Sequence, residues 1–239
     1  MKTIFAVVLG LALLSTSLAQ KDKKPWTEWS QKEAEKILNN SPWGRMQTDT
    51  DTSEMFFRPT ADSRRSPNAA ERAVQGATNQ ATNVSYGIRF FSARPVRQAF
   101  MRMIQLQQKK LEPEVLERMK NFAEVAATDS IIVAVTIEGT DKRSLGNVMQ
   151  IVNSAATGTL KNTTYLERSD GNRLFLQEYV PPGRDGFGAR FIFPRVVDQQ
   201  PFLSQEFTEV RFVSDFDPTV KLNMRFKLTD MMLYGQLEY

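Results

Sequence analysis

The chain has 239 residues, with 31 Lys and Arg against 27 Asp and Glu, and it contains neither histidine nor cysteine. Ser-His-Asp and Cys-His catalysis is therefore impossible, as are the usual zinc sites, His- or Cys-ligated haem, cysteine-ligated iron–sulfur clusters and any disulfide; no cofactor is expected. A net charge of +4, spread along the chain, lacks the concentrated basic footprint that nucleic acid requires.

The opening residues "MKTIFAVVLGLALLSTSLAQ" read as a leader. Lys2 supplies a positive start, Ile4 to Leu14 an apolar run, and Ser17-Leu18-Ala19 a small-x-small cleavage site, so residues 1–19 are expected to be a signal peptide. The run is short for a membrane span and "QKDKK" follows at once; a retained anchor is the alternative. Without cysteine there is no lipobox. Export to the periplasm or the medium is the expectation, with no transmembrane segment in the mature chain. Cleavage removes Lys2 alone among the charges, which leaves 30 basic against 27 acidic residues. About 220 residues remain, enough for one core without cross-links.

Residues 20–57 contain "KPWTEWSQKEAEKILNNSPWG" at positions 24–44, which holds all three tryptophans, Trp26, Trp29 and Trp43. Ser30 and Glu33 form a capping box, with Trp29 and Ala34 at the positions of a hydrophobic staple. A short helix should run to about Asn39, with Ala34, Ile37 and Leu38 on one face. The tryptophans either bury this helix against a core or lie exposed as a docking surface. In "TDTDTSE", Asp49, Asp51 and Ser53 alternate like the start of a calcium loop. Glu54 and Thr60 stand where glycine and glutamate are needed, so a polar loop or exposed strand is the reading. Residues 58–83 are polar and read as a linker or long loop, with a turn of helix at "NAAERAVQ".

Residues 84–239 carry the main domain. Val84, Tyr86, Ile88 and Phe90 alternate as a strand. Two helices follow, opened by Pro95 and Pro113, then the doubly apolar strand "SIIVAVTIEG" and a third helix at "SLGNVMQIVNSA". Asp170-Gly171 signals a hairpin in "TTYLERSDGNRLFLQEYV". A two-residue loop would oppose Arg168 and Arg173, so a three-residue loop with Leu166 opposite Leu176 is expected. "GARFIFPRVV" and "FTEVRFV" are further strands; Val220, Leu222, Met224, Phe226 and Leu228 alternate through the clearest one, and "MMLYGQLEY" reads as another. The fold class is α+β: a mainly antiparallel sheet of about six to eight strands with two to four helices packed on it, preceded by the Trp-capped helix.

Candidate sites are few. "PPGRDGFGAR" has a phosphate loop's glycines but runs into a strand, so a strand-to-strand loop is expected. Asp215 and Asp217 in "SDFDPT" fit a turn. Lys221, Arg225 and Lys227 line one strand face, with Arg211 nearby, and could meet an anionic ligand or envelope surface; a solvated sheet face looks the same. The basic run Arg89, Arg94, Arg97, Arg102, Lys109 and Lys110 also reads as solvated. Glu138, Asp141, Glu167 and Glu178 are the carboxylates available for paired acid–base work.

"WTEWSQKEAEKILNNSPWG", "RPVRQAF", "FIFPRVV" and "KLTDMMLYGQLEY" resemble a group of uncharacterised exported proteins of Acidobacteria-type soil bacteria. Its signature reads WxxWSxxEAExILxxSPW, and the likeness covers most of the mature chain. The resemblance implies export and chain length and carries no activity. The expected function is thus a non-catalytic, exported protein of the cell envelope that binds or assembles. Its binding residues would be Trp26, Trp29, Trp43, Lys221, Arg225 and Lys227, and its partner an envelope protein or an apolar ligand. A small-ligand or lipid carrier and a carboxylate hydrolase are the alternatives.

Overall fold

The computed structural model describes residues 24–51, 82–108, 110–125, 127 and 129–239. The leader, Ser53, Glu54, Thr60, nearly all of the 58–83 linker with its turn of helix, and Lys109 lie outside the described residues.

Trp26–Glu28 forms a 3-10 turn, and Ser30 then opens α1 (Gln31–Asn39) with the reciprocal cap. The Glu33 amide donates to Ser30 Oγ at 3.3 Å, and the Ser30 amide donates to Glu33 Oε2 at 2.7 Å. The chain turns at Ser41-Pro42 into β1 (Gly44–Asp51), whose polar alternation is that of an edge strand. β1 pairs antiparallel with β2 (Thr82–Phe90), so the segment before the linker builds part of the main sheet. Helices α2 (Arg94–Gln107) and α3 (Pro113–Glu124) start on their prolines. β3 (Ser130–Gly139) follows, then α4 (Lys142–Ser154) and the single turn α5 (Thr157–Leu160).

The remaining elements are β4 (Thr164–Arg168), β5 (Arg173–Phe175), β6 (Glu178–Val180), β7 (Ala189–Pro194), β8 (Val196–Val197) and β9 (Gln200–Pro201). After them come β10 (Glu209–Asp215), β11 (Lys221–Lys227), a 3-10 turn at Leu228–Asp230, β12 (Met232–Leu233) and β13 (Gln236–Leu237). The fold is α+β, with five helices and thirteen strands among the described residues. The expected sheet of six to eight strands is resolved into two: five strands in the order β1-β2-β3-β7-β6 and four in the order β11-β10-β4-β5. β8-β9 and β12-β13 are separate two-stranded hairpins.

The two sheets face each other across a phenylalanine layer. Phe90 meets Phe226 edge-on at 4.9 Å, Phe191 meets Phe212 at 5.1 Å, and Phe193 meets Phe212 at 6.4 Å. All five rings are fully buried, so truncating one to alanine should cost about 3–5 kcal/mol. At one edge the chain itself passes between sheets. The Leu176 amide still donates to Thr164 O of β4, and the next amide, Gln177, donates to Ile192 O of β7. At the other edge a side chain does the joining. Gln47 of β1 donates Nε2–H to Lys221 O at 2.7 Å, and its Oε1 accepts from the Asn223 amide at 2.9 Å.

The β4–β5 hairpin corrects the expected register. Its loop has three residues, as anticipated, but Leu166 opposes Leu174 rather than Leu176. The shift places Glu167 opposite Arg173, where they form a 2.6 Å ion pair. Gly171, at φ 85°, supplies the left-handed residue after the turn, and Asp170 Oδ1 accepts from the Asn172 amide at 3.1 Å.

Candidate functional site

Trp26 and Trp43 are interior, and their indole N–H groups are spent on distant elements. Trp26 Nε1 donates to Glu124 Oε1 at the end of α3, 2.7 Å away, and Gln98 of α2 donates to the same oxygen at 3.1 Å. Trp43 Nε1 donates to Glu238 O at 2.7 Å. Trp29 is half-buried; its Nε1 donates to Lys24 O at 3.1 Å and its carbonyl accepts from Arg102 Nε at 2.6 Å. A docking surface needs exposed ring faces, which Trp26 and Trp43 do not offer. The three tryptophans clamp residues 24–44 onto α2, α3 and the 231–239 segment.

The basic run is likewise not a solvated face throughout. Arg89 and Arg97 are each 4% exposed. Arg89 lies over the far ends of α1 and β3: Nε donates to Leu38 O at 2.8 Å, Nη2 to Asn39 Oδ1 at 2.6 Å and Nη1 to Thr136 Oγ1 at 2.6 Å. Gly87 makes room for it, since a Cβ there would stand 2.3 Å from Arg89 Nη2. Arg97 donates to Phe122 O at 3.2 Å and to the carbonyls of Ser92 and Val125. Each guanidinium thus satisfies the orphan carbonyls at a helix C-terminus from another element. Burial lowers the pKa of both, Arg89 to about 10 against the opposing charge of Glu138. Arg89 therefore stays charged at neutral pH.

Lys221, Arg225 and Lys227 are exposed on the outer face of β11, as the alternation implies. Carboxylates sit among them. Arg225 pairs with Glu209 at 3.3 Å, Asp215 stands opposite Lys221, and Glu167 is held between Arg173 at 2.6 Å and Arg211 at 3.0 Å. The exposed Arg225–Glu209 pair contributes at most about 1 kcal/mol. The strip is a mixed-charge surface, not a bare cationic one.

The other candidates have structural partners. Asp141 caps α4, accepting from the Ser144 amide at 2.7 Å, and that bond holds its carboxyl below the usual range. Glu138 in β3 and Glu178 in β6 are separated by β7. Asp217 accepts from the Thr219 and Val220 amides, both at 2.7 Å, in the expected turn. The glycine-rich loop leads into β7, with Asp185 accepting from Arg190 at 2.8 Å, and it delivers Phe187 against Phe91 at 4.9 Å. Among the described residues no group of three or more carboxylates is placed to hold a metal ion.

Sequence reasoning missed a cleft of about 490 Å³ between the β8–β9 hairpin and β13. Val196, Pro201, Leu203 and Leu237 form its apolar wall, with Ser204 and Arg195 among them. The hairpin turns at Asp198 and Gln199, both at positive φ (49° and 64°), a conformation that Asp-Gln does not advertise as Asn-Gly would. Arg195 stacks over the Tyr239 ring at 3.9 Å and donates Nη1–H to Tyr239 O at 2.7 Å. The Tyr239 hydroxyl donates to Leu203 O at 2.9 Å, and burial raises its pKa. Ser204 Oγ is buried with no hydrogen-bond partner among the described residues. Residue spacing carries no signal for this site, because the ring of side chains is drawn from positions 127, 195–205 and 237–239.

No helix among the described residues is long and apolar enough to cross a membrane. Comparison of the chain with protein-family models, with curated proteins and with solved structures finds no match.

Proposed function

We propose that the chain is an exported, non-catalytic protein of the cell envelope that acts by binding a small molecule in the cleft between β8–β9 and β13. The cleft carries this reading. Its volume of about 490 Å³ falls among small-molecule sites, which run from about 300 to 1,000 Å³ with apolar walls and few polar groups. The leader pattern of residues 1–19 supports export. The resemblance to exported proteins supports it too.

A protein partner is the second reading. Phe122 and Val125, near the C-terminal end of α3, are 41% and 65% exposed, and a partner covering both would withdraw that apolar surface from water.

Expression with the leader, fractionation and N-terminal sequencing test export: the exported form should begin at Gln20. Mass spectrometry of the organic extract of that form tests binding. A small apolar compound should accompany the purified protein, and its repeated absence would count against the carrier role.

A further inference from the structure

We infer that the outer face of the four-stranded sheet binds an acidic polysaccharide, with one uronate ring seated on Phe175 beside Lys161 and Asn162. This surface is separate from the cleft at β8–β9, and the inference stands independently of that site.

The helices pack on the five-stranded sheet and on one another, which leaves this face open. Strand alternation and register order it in rows. One row runs Phe175, Tyr165, Val213 and Asn223 from β5 to β11, and the next runs Arg173, Glu167, Arg211 and Arg225. With strands about 4.8 Å apart, each row is about 14 Å long. Glu167 is already held by Arg173 at 2.6 Å and Arg211 at 3.0 Å. The outward strand positions, with Lys161, carry six cations against the three carboxylates Glu167, Glu209 and Asp215. That surplus of positive charge favours a polyanion.

The seat is a shallow cleft of about 410 Å³ lined by Lys161, Asn162, Phe175 and Leu176. Phe175 is 48% exposed, and its ring meets Tyr165 edge-on at 5.7 Å. Arg173 covers one face of Tyr165, 4.4 Å from the ring centre, so Phe175 is the ring left to stack. The side chains of Lys161 and Asn162 have no partner among the described residues.

These three groups select the occupant. The ring covers the apolar face of a second ring, the ammonium takes a carboxylate, and the amide both donates to and accepts from hydroxyls. An aliphatic chain would use the phenyl ring alone. A sugar acid uses all three. A shallow seat holds a single ring weakly, and the cationic row beside it rewards a chain with one carboxylate on each ring.

Isothermal titration of residues 20–239 with polygalacturonate, with its methyl ester and with phosphatidylglycerol vesicles tests this; circular dichroism verifies the fold of each variant. Polygalacturonate should bind at about 20 mM salt and weaken at least about fivefold by about 200 mM. The methyl ester, uncharged on the same backbone, should bind at least about tenfold less well. Phe175→Ala and Lys161→Glu, both changes at exposed positions, should each weaken binding about three- to tenfold. Arg184→Glu, the same change of charge in the loop before β7, should leave it within about twofold. Failure of polygalacturonate to bind, or vesicles bound in its place, overturns the inference. Binding indifferent to Phe175→Ala overturns it too, as does equal loss in Lys161→Glu and Arg184→Glu, the mark of attraction to net charge alone.

Discussion

The indole N–H of Trp43 donates to the main-chain oxygen of Glu238, 195 positions along the chain, at 2.7 Å. The carboxylate of the same Glu238 accepts from the Arg94 amide at 2.8 Å, at the start of α2, where Ala93 has no side chain to offer a cap. One residue therefore ties the Trp-rich segment to the first turn of a helix, with partners at positions 43 and 94. Trp43→Phe keeps an aromatic in place and deletes the donor, leaving Glu238 O unpaired. The expected loss is about 1–3 kcal/mol, read as a lower urea midpoint at unchanged slope. A midpoint equal to the parent's would show that the bond contributes nothing.

Tryptophan fluorescence should report an interior environment. Trp26 and Trp43 are 7% and 8% exposed, and Trp29 is the half-buried one. Emission should be blue-shifted and only partly quenched by acrylamide, and Trp29→Phe should remove most of the quenchable fraction. Full quenching of all three would contradict the clamp.

Arg89 is a buried side chain with four acceptors, donating to Leu38 O, Asn39 Oδ1, Thr136 Oγ1 and Gly87 O. Arg89→Met preserves the apolar stem and leaves those acceptors buried without partners. The expected cost is about 3–5 kcal/mol. Arg89→Lys should recover only part of it, because an ammonium cannot reproduce the planar fork. Denaturation of both variants decides the matter; a loss under about 1 kcal/mol for the methionine variant would refute the role.

Acid should weaken the fold in a defined window. The Ser30 amide and hydroxyl, with Lys24, hold the Glu33 carboxyl down from 4.5 to about 2. The Arg168 guanidinium, with Asn172, holds Asp170 down from 3.8 to about 2. Both values are lower in the folded chain than in the unfolded one. Their stabilisation is therefore full above about pH 4.5 and is lost as pH falls towards about 2. Glu33→Gln keeps the reciprocal cap but not the titration, so its urea midpoint should fall less steeply over that window. At the alkaline end, burial, with the charges of Asp49 and Asp217, raises Tyr86 from 10.0 to about 12. Burial also raises Tyr179 and Tyr239. These phenols favour the folded chain below pH 10, and that contribution should disappear as pH climbs past it.

Local rules were legible in the sequence and long-range ones were not. The Ser30–Glu33 cap and the alternation of Val220 to Leu228 follow from neighbours three or two positions apart, so they read correctly. The β4–β5 register slipped because matching leucines competes with the Glu167–Arg173 pair, and pattern alone does not weigh the two. Arg89 and Arg97 read as surface cations because their acceptors are carbonyls 51 and 25–28 positions away, contributed by every residue type alike. The cleft was invisible for the same reason: the tertiary fold, not spacing, gathers its lining.

The Gln47 bridge has a consequence for how copies of this chain meet. The outermost strand of a sheet exposes a row of amides and carbonyls on which a neighbouring molecule can build. On β11 that row is already engaged at Lys221 O and the Asn223 amide by a side chain of the same molecule. Lys221, Arg225 and Lys227 stand along the same strand. Two copies approaching through β11 would have to break the amide bridge before they could pair there. The bridge then acts as a guard on this edge: a neighbouring strand finds two of its anchoring groups already taken.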